Sequence, residues 1–304
     1  MTDKIERKNC IDVAKMTNVL SAFDIPTEPT CNPGDYRDEE GFLCCGTCGE
    51  RKEACFDNTS ALFGGKHSRM CRCELEKLKQ QEQEEEAQKL RNNQNVWRAR
   101  GIPYEMLRAY TFANDEYPAD RVGAICRTYS ENFAELPKQG IFLYGGNGTG
   151  KTYYAAAIVN DLIDRGTEAA ITTIPDILHI ADMTERNNRI ETFIQVPFLV
   201  LDDIGVESGT EYRREVFFQI VDGRYKNNLP LCCTSNDTPN EWENRAANDK
   251  DIYRIWSRIN AMCSMKLSMQ GENRREIAAK ENQQRAVMYM SDALSRRSAE
   301  GGQE

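Results

Sequence analysis

The chain has 304 residues, a hydrophobic fraction of 40% and a formal net charge of −9 at pH 7. This length suffices for one large core or two modest ones without disulfide staples. The acidic balance excludes a uniformly basic nucleic-acid coat protein, but it does not exclude a local basic surface. No apolar run approaches the ~20 residues that span a bilayer, and the N-terminus lacks a signal-peptide core. We therefore expect a cytoplasmic protein with no membrane partner.

The first 40 residues form a variable N-terminal segment with weak patterning. Within it, apolar spacing predicts a short amphipathic helix over residues 11–23. Such a helix suits a surface position on a neighbouring domain and a partner-docking role equally well.

A cysteine-rich module follows over residues 41–73. Cys45 and Cys48 form a C-x-x-C-G pair, in which glycines permit the tight turn that aims two thiolates at one ion. Cys71 and Cys73 would complete a four-sulfur zinc site, although their C-x-C spacing departs from the usual C-x-x-C. Four protein ligands leave no open position, so we expect a structural zinc. The competing ligands are Cys44, Cys55 and His67. Free thiols in a segment without fixed structure are the alternative.

Residues 74–100 are rich in Glu, Gln and Lys. Their helix propensity is high, but apolar positions are too sparse for a sustained heptad. We predict a charged, solvated helical linker that marks the domain boundary, with a coiled-coil partner site as the alternative.

A glycine-rich loop then joins an apolar strand at residues 140–144 to a helix that begins at Lys151. The loop reads Gly145-Gly146-Asn147-Gly148-Thr149-Gly150-Lys151-Thr152, with the spacing G-x-x-x-x-G-K-T intact. Its glycines let backbone N–H groups surround phosphate oxygens at a helix N-terminus. Lys151 can reach the β- and γ-phosphates, and the Thr152 hydroxyl can bind Mg²⁺. The strand before and the helix after disfavour a chance match, so we predict a nucleotide-binding chain.

Beyond the loop, alternating strands and helices predict a parallel sheet with the loop strand near its middle. We expect a strand at residues 169–173, a helix at 175–183 and a loop at Asn187 and Asn188. A helix is expected near residues 213–227.

Polar residues end two of the predicted strands. The buried strand 197–205 carries Asp202, a candidate Mg²⁺ ligand, and Asp203, a candidate for orienting water, with a charged strand cap as the alternative. Asn236 follows strand 229–234 and is a candidate sensor of the γ-phosphate, or else a turn former.

A helix near residues 251–259 places Arg258 on a different face from its isoleucines. On its own, Arg258 reads as a solvated helix arginine. The polar tail, residues 281–304, is expected to fray.

These motifs in this order resemble the DnaC/DnaI-type helicase loaders, which are AAA+ ATPases akin to bacterial initiator and transposition-helper ATPases. The resemblance covers nearly all of residues 40–280. It includes Tyr110-Thr111-Phe112-Ala113-Asn114-Asp115 and Gly271-Glu272-Asn273-Arg274-Arg275. It implies an α/β fold in which a P-loop AAA+ domain, residues 101–280, has a central parallel sheet flanked by helices. A small zinc-ribbon-like module and the helical linker would precede that domain.

The resemblance also implies residue roles. Residues 145–152 would be Walker A, and Asp202 and Asp203 would be Walker B. Asn236 would be sensor 1, and Arg258 an arginine finger acting on ATP in the adjacent subunit. The sensor-2-like group would be Arg274 or Arg275. Many AAA+ motors have Asp-Glu in Walker B, so the shorter Asp203 predicts slow hydrolysis and a nucleotide-gated switch.

The implied function is loading of a replicative helicase hexamer onto single-stranded DNA. ATP, Mg²⁺ and Zn²⁺ would be the cofactors, and the ATPase domain would self-associate. The first alternative is a transposition helper ATPase, which generally lacks a zinc module at this position. The second is a non-hydrolysing adaptor, which the intact Lys151, Thr152 and Asp202 disfavour. A small-molecule kinase would need a lid, and no lid-like arginine cluster lies between residues 160 and 240.

Overall fold

The computed structural model describes residues 31–56, 65–117, 120–136, 139–205 and 211–300. The chain divides into two compact units, Met1–Gln88 and Lys89–Glu304. The amphipathic helix predicted over residues 11–23 lies outside the described residues.

The described part of the first unit contains two short antiparallel strand pairs. β1 (Tyr36–Arg37) pairs with β2 (Leu43–Cys44), and β3 (Glu53–Phe56) pairs with β4 (Gly65–Ser68). A long helix, α1 (Arg72–Gly101), begins in this unit. Among the described residues, the buried hydrophobic side chains of the first unit are Leu43, Cys44, Cys45 and Cys71. A core this small needs another source of stability.

Helix α1 confirms that the charged stretch is helical, and the division between the units falls inside it. Its second half belongs to the second unit. The Gln94 side-chain amide donates to the Asp164 carbonyl at 2.8 Å, and Arg98 forms an ion pair with the Asp164 carboxylate. At its end, a Cβ on Gly101 would lie 2.3 Å from the carbonyl oxygen of Ala169, so this close approach requires glycine.

The second unit is built on a five-stranded sheet whose neighbouring strands are all parallel. The strands are β5 (Ile141–Gly145), β6 (Ala169–Thr172), β7 (Phe198–Ile204), β8 (Leu231–Ser235) and β9 (Met265–Met269), in the order β6-β7-β8-β5-β9. This confirms the predicted α/β fold with a central parallel sheet. The loop strand β5 is an interior strand, but it lies next to the edge strand β9 rather than at the centre.

Helices cover both faces of this sheet. They are α2 (Glu105–Ala109), α3 (Arg121–Glu131), α4 (Lys151–Asp164), α5 (Ile174–Leu178), α6 (Met183–Gln195), α7 (Glu211–Lys226), α8 (Pro239–Asn248), α9 (Lys250–Met262) and α10 (Arg274–Glu300). Along β7, Phe198 and Val200 face a core shared with α3 and α4, whereas Leu199 and Leu201 face a core shared with α6 to α9. Burial on both faces is expected of a parallel sheet.

The segment between β6 and β7 differs from the prediction. The helix predicted over residues 175–183 ends at Leu178, and Asn187 and Asn188 lie inside α6 rather than in a loop. Asp182 caps α6 by accepting a hydrogen bond from the Glu185 amide. The buried side chains of α6 are Ile190, Phe193 and Ile194. Their burial outweighs the low helix propensity of two asparagines.

The described part of the polar C-terminal tail, residues 281–300, is helical. Helix α10 continues through Glu300 because the run of Ala, Lys, Glu, Gln and Arg is strongly helix-forming and contains no Gly or Pro. Four successive side chains, Val287, Met288, Tyr289 and Met290, are exposed on it. Among the described residues, no helix combines the length and the apolar character needed to cross a membrane.

Candidate functional site

The glycine-rich loop lies between the end of β5 and the first residue of α4. Gly145, Gly148 and Gly150 have φ angles of +146°, +73° and +98°, which side-chain-bearing residues rarely adopt. Gly150 is the N-terminal cap of α4, so the amide groups of the loop and the positive end of the helix dipole meet at one place. This is the backbone arrangement that binds phosphate groups.

Lys151 turns its ammonium group back into the loop. Its Nζ donates to the carbonyl oxygens of Gly145 and Gly146, each at 2.8 Å, and to Asn236 Oδ1 at 2.9 Å. Burial lowers the pKa of Lys151, and the nearby carboxylates of Asp203 and Asp202 partly oppose that effect. The predicted phosphate-sensing residue Asn236 is thus in direct contact with the predicted phosphate-binding lysine.

Asp202 lies against two threonine hydroxyls. Thr152 Oγ1 donates to its carboxylate oxygens at 3.0 and 3.1 Å, and Thr234 Oγ1 donates to Oδ1 at 2.6 Å. Burial raises the pKa of Asp202; the two hydroxyl hydrogen bonds oppose this, and the Asp203 charge adds to it. A carboxylate beside a hydroxyl is a set of hard oxygen ligands that fits Mg²⁺. Thr234 is absent from the predicted site, although its position at the end of a strand before Asn236 is a usable signal.

Asp203 has an unusual backbone conformation that explains how two consecutive carboxylates serve one site. Successive residues of a regular strand point to opposite faces, but here the β7–β8 register shifts between Leu201 and Ile204, and Asp203 has a φ of +55°. Aspartate tolerates this conformation better than most residues. The Asp203 amide donates to Thr234 Oγ1 at 2.8 Å. Both Asp202 and Asp203 therefore line the same cavity.

That cavity has a volume of about 730 Å³, within the range of small-molecule sites. It is lined by the polar residues described above and by aromatic side chains that include Tyr104, Tyr110, Tyr117 and Tyr153. The rings of Tyr110 and Tyr153 have centroids 4.8 Å apart. Both side chains also pack against the hydrophobic core that α4 shares with the sheet. The cavity therefore combines polar groups that suit phosphates with aromatic side chains that suit a base.

The first unit brings Cys45, Cys48, Cys71 and Cys73 together, with all four sulfur atoms within 4.8 Å of one another. Sulfur atoms around a tetrahedral zinc ion lie ~3.8 Å apart, given the Zn–S distance. The backbone amides of Cys48 and Thr47 point at Cys45 Sγ and lower the pKa of that thiol to about 6. The donor set and its amide partners therefore fit zinc.

The competing ligands do not join this cluster where the structure describes them. Cys44 Sγ lies 3.6 Å from the Phe42 carbonyl oxygen and 3.8 Å from an Asp38 carboxylate oxygen. His67 is exposed and outside the group. The Cys55 side chain lies outside the described residues.

A family model for IstB-like ATP binding proteins matches residues 66–282. The chain belongs to this family. This agrees with the phosphate-binding geometry at Lys151 and gives the nucleotide as ATP.

Curated relatives of this IstB-like protein bear out the predicted resemblance. It is 32% identical over 152 residues to the replicative helicase loader DnaI of Bacillus subtilis, a match that covers 45% of this chain and 48% of that protein. It is 35% identical over 107 residues to the replicative helicase loader DnaC of Escherichia coli K12, covering 33% and 44%. The chain thus spans about half the length of the curated relatives that it matches.

Solved structures of proteins named DnaI and DnaC are also similar. A crystal structure of DnaI matches 57% of this chain and 94% of its own, with 28% identity and a TM-score of 0.47. A crystal structure of the DnaC helicase loader matches 55% and 100%, with 21% identity and a TM-score of 0.46.

Both sensor-2 candidates of this IstB-like protein, Arg274 and Arg275, line the same cavity. The Arg274 guanidinium is held by an Asp120 carboxylate oxygen at 2.6 Å and lies over the Tyr117 ring, 4.1 Å from its centroid. The Arg274 amide donates to the Gly148 carbonyl at 2.9 Å. Arg275 is exposed at the same cavity. Arg274 is therefore fixed on the loop, whereas Arg275 is the freer candidate for a phosphate contact.

Arg258 does not line the cavity of its own chain. Its Nε donates to Asp222 Oδ1 at 2.6 Å, and its guanidinium lies over the Phe218 ring. A role on the ATP of an adjacent subunit stays a prediction.

We predict that Asp202→Asn stabilises the ATP-free protein while it abolishes the effect of Mg²⁺. The folded-state pKa of Asp202 is raised, so its carboxylate opposes folding at neutral pH, and this cost disappears as pH falls through that pKa. Removing the charge should raise stability by about 1 kcal/mol, or Tm by about 2–4 °C. Thermal melts at pH 7 test this, with the exposed Glu243→Gln as control. An unchanged Mg²⁺·ATP-induced Tm shift in the Asp202 variant would contradict the metal assignment.

Proposed function

We propose that this chain is an ATP-binding and hydrolysing replication protein that loads a replicative helicase hexamer onto single-stranded DNA. Two observations support the proposal. Lys151 contacts Asn236 and Thr152 contacts Asp202 beside the glycine-rich loop, and the curated relatives DnaI and DnaC are both named replicative helicase loaders. The matches cover about half of each of those proteins, so the loading activity of this chain is proposed here from that partial similarity.

In the proposed ATPase reaction, the chain's own residues divide the work. Lys151 and the loop amides would bind the β- and γ-phosphates. Thr152 and Asp202 would hold Mg²⁺, which would neutralise charge on the phosphate oxygens. Asp203 orients the attacking water, and Asn236, which contacts both Lys151 and Asp203, reports the γ-phosphate. The shorter aspartate at position 203 favours slow turnover that acts as a switch.

The other parts of the chain would bind the partners. The four cysteines would hold a structural zinc that shapes a helicase-docking module, and the ATPase unit would self-associate when it binds ATP. Contact with single-stranded DNA would be confined to a few Lys and Arg side chains on one surface, given the acidic net charge, and should weaken steeply with salt.

We predict that Arg258→Ala lowers ATP hydrolysis in the assembled state by ~10³-fold, the usual effect of losing an arginine finger. ATP binding by the isolated chain should not change, because Arg258 is outside the cavity. Arg254→Ala is the matched control, since Arg254 is an exposed arginine of the same helix that also lies over Phe218. Equal turnover by the Arg258 and Arg254 variants at assembling concentrations would refute the assignment.

The test of the proposed function is capture of partners from the host by the tagged full chain, with ATP and again with Lys151→Ala. Recovery of the replicative helicase, enhanced by ATP in the wild type, supports a loader. Recovery of a transposase, or no partner in either state, favours the helper or the adaptor and ends the loader assignment.

A further inference from the structure

A buried lysine lies at the centre of the first unit. The Lys52 side chain is only 1% exposed. Lysine is rarely buried, and an ammonium removed from water is tolerated only where carboxylates or other acceptors surround it. A small unit with so few buried apolar side chains has little stability with which to offset an unneeded buried charge. The position of Lys52 therefore calls for an explanation in terms of its partners.

Two carboxylates surround the Lys52 ammonium. Nζ lies 3.0 Å from Asp35 Oδ2 and 2.6 Å from Glu74 Oε1. The Asp35 side chain is also almost fully buried, at 2% exposure, and that of Glu74 is 23% exposed. We call these three residues the Lys52 triad.

Each carboxylate of the Lys52 triad also accepts a hydrogen bond from a backbone amide. One amide lies between the cysteines of the first pair, and the other belongs to a cysteine of the second pair. Asp35 Oδ1 accepts from the amide of Gly46, between Cys45 and Cys48, at 2.9 Å. Glu74 Oε2 accepts from the amide of Cys71 at 3.3 Å. One ammonium thus connects, through two carboxylates, the two halves of the sulfur cluster.

Two backbone segments approach each other closely where Asp35 accepts the bond from Gly46. A Cβ on Gly46 would lie 2.1 Å from the carbonyl oxygen of Gly34, so the turn that carries Asp35 rests directly on the turn between Cys45 and Cys48. On the other side, Glu74 immediately follows Cys73 in the first turn of α1. Both carboxylates are therefore fixed to the cysteine-bearing backbone and not to a distant surface.

We propose that the Lys52 triad positions the two cysteine pairs for the metal ion, with Lys52 as the residue that holds the pairs together. The inference rests on the metal site proposed above. Without the ammonium, two like charges would face each other in a buried space, and the backbone segments that they hold would move apart. The lysine and its carboxylates are positioning residues, since the ligands are the four thiolates.

The chain offers a matched control in Arg51, the residue next to Lys52. Arg51 also pairs with two carboxylates, those of Asp38 and Glu40, at 2.6 and 2.7 Å. Its side chain is 41% exposed, and neither carboxylate accepts a bond from an amide of the four ligand cysteines or of the residues between them. Arg51→Met removes a cation of the same module without touching the proposed connection.

The experiment is a cobalt(II) titration of the full chain in competition with a chelator, followed by the absorption bands of the metal. We expect Lys52→Met to weaken metal binding 10- to 100-fold, the usual effect of losing an outer-shell partner, and to reduce the bands of tetrahedral sulfur coordination. Arg51→Met should bind cobalt within about twofold of the wild type. ATP binding, read on the same samples, should be equal in all variants and shows that the second unit is folded.

Glu74→Gln is a milder second variant, which keeps side-chain volume and an acceptor for the Cys71 amide. It should weaken cobalt binding by a smaller factor than Lys52→Met, with the tetrahedral bands retained. Wild-type affinity in both variants overturns the role of the triad while the metal site stands. Failure of the wild type itself to bind cobalt or zinc overturns the metal site and the inference with it.

Discussion

Replacing Lys151 with alanine is expected to weaken Mg²⁺·ATP binding by at least ~100-fold. The Lys151 ammonium points into the glycine-rich loop, where it donates to the carbonyl oxygens of Gly145 and Gly146. Charge-assisted hydrogen bonds from such a group to phosphate are stronger than bonds between neutral groups. In the ATP-free protein the ammonium group instead donates to two loop carbonyls and to Asn236. Titration calorimetry with ATP and Mg²⁺ measures the loss directly.

The control for this prediction is Lys250→Ala, which removes an exposed lysine from the start of α9. It should bind ATP as the wild type does. The Lys151 variant should melt no lower than the wild type without nucleotide, because burial already disfavours its charge. Affinity within about threefold of the wild type in a folded Lys151 variant would refute the phosphate-binding role.

Replacing Cys45 and Cys48 with serine is expected to abolish metal binding and to unfold the first unit. Structural zinc contributes about 10–16 kcal/mol in small domains, far more than the few buried apolar side chains of this unit can supply. Metal analysis should give one zinc per wild-type chain and none in the variant. Limited proteolysis should then cut the first unit while the second stays intact.

Cys44→Ser is the discriminating control for the metal prediction. Cys44 adjoins the ligand pair and is buried, but its sulfur contacts Phe42 and Asp38 instead of the cluster. This variant should retain one zinc per chain. Loss of the metal from the Cys44 variant, or its retention in the double variant, would show that the ligands are wrongly assigned.

The sequence predicts most reliably what is local. The spacing from Gly145 to Thr152 fixes the loop because strand, glycines and helix are contiguous, and the C-x-x-C-G turn identifies the first half of the metal cluster in the same way. Helix α8 is absent from our predictions although its signal is equally local. Thr238 and Glu241 form a capping box, with Pro239 at the first helical position.

Features that depend on distant residues are not readable in this way. The turn of Asp203 into the cavity requires the register shift against β8, which its own neighbours do not specify. The ion pair of Arg274 with Asp120 joins residues that are 154 positions apart. The helical state of Asn187 and Asn188 depends on the core that buries Phe193, so tertiary packing overrides local preference.

The most direct test of the loader account is a helicase-loading measurement on circular single-stranded DNA coated with a single-strand binding protein. The host's replicative helicase would be added with the chain and ATP, and unwinding of an annealed oligonucleotide would be followed. We predict unwinding that requires the wild-type chain and is lost with Lys151→Ala, while Lys250→Ala supports it fully. Unwinding of equal extent without the chain, or with the Lys151 variant, would contradict ATP-dependent loading.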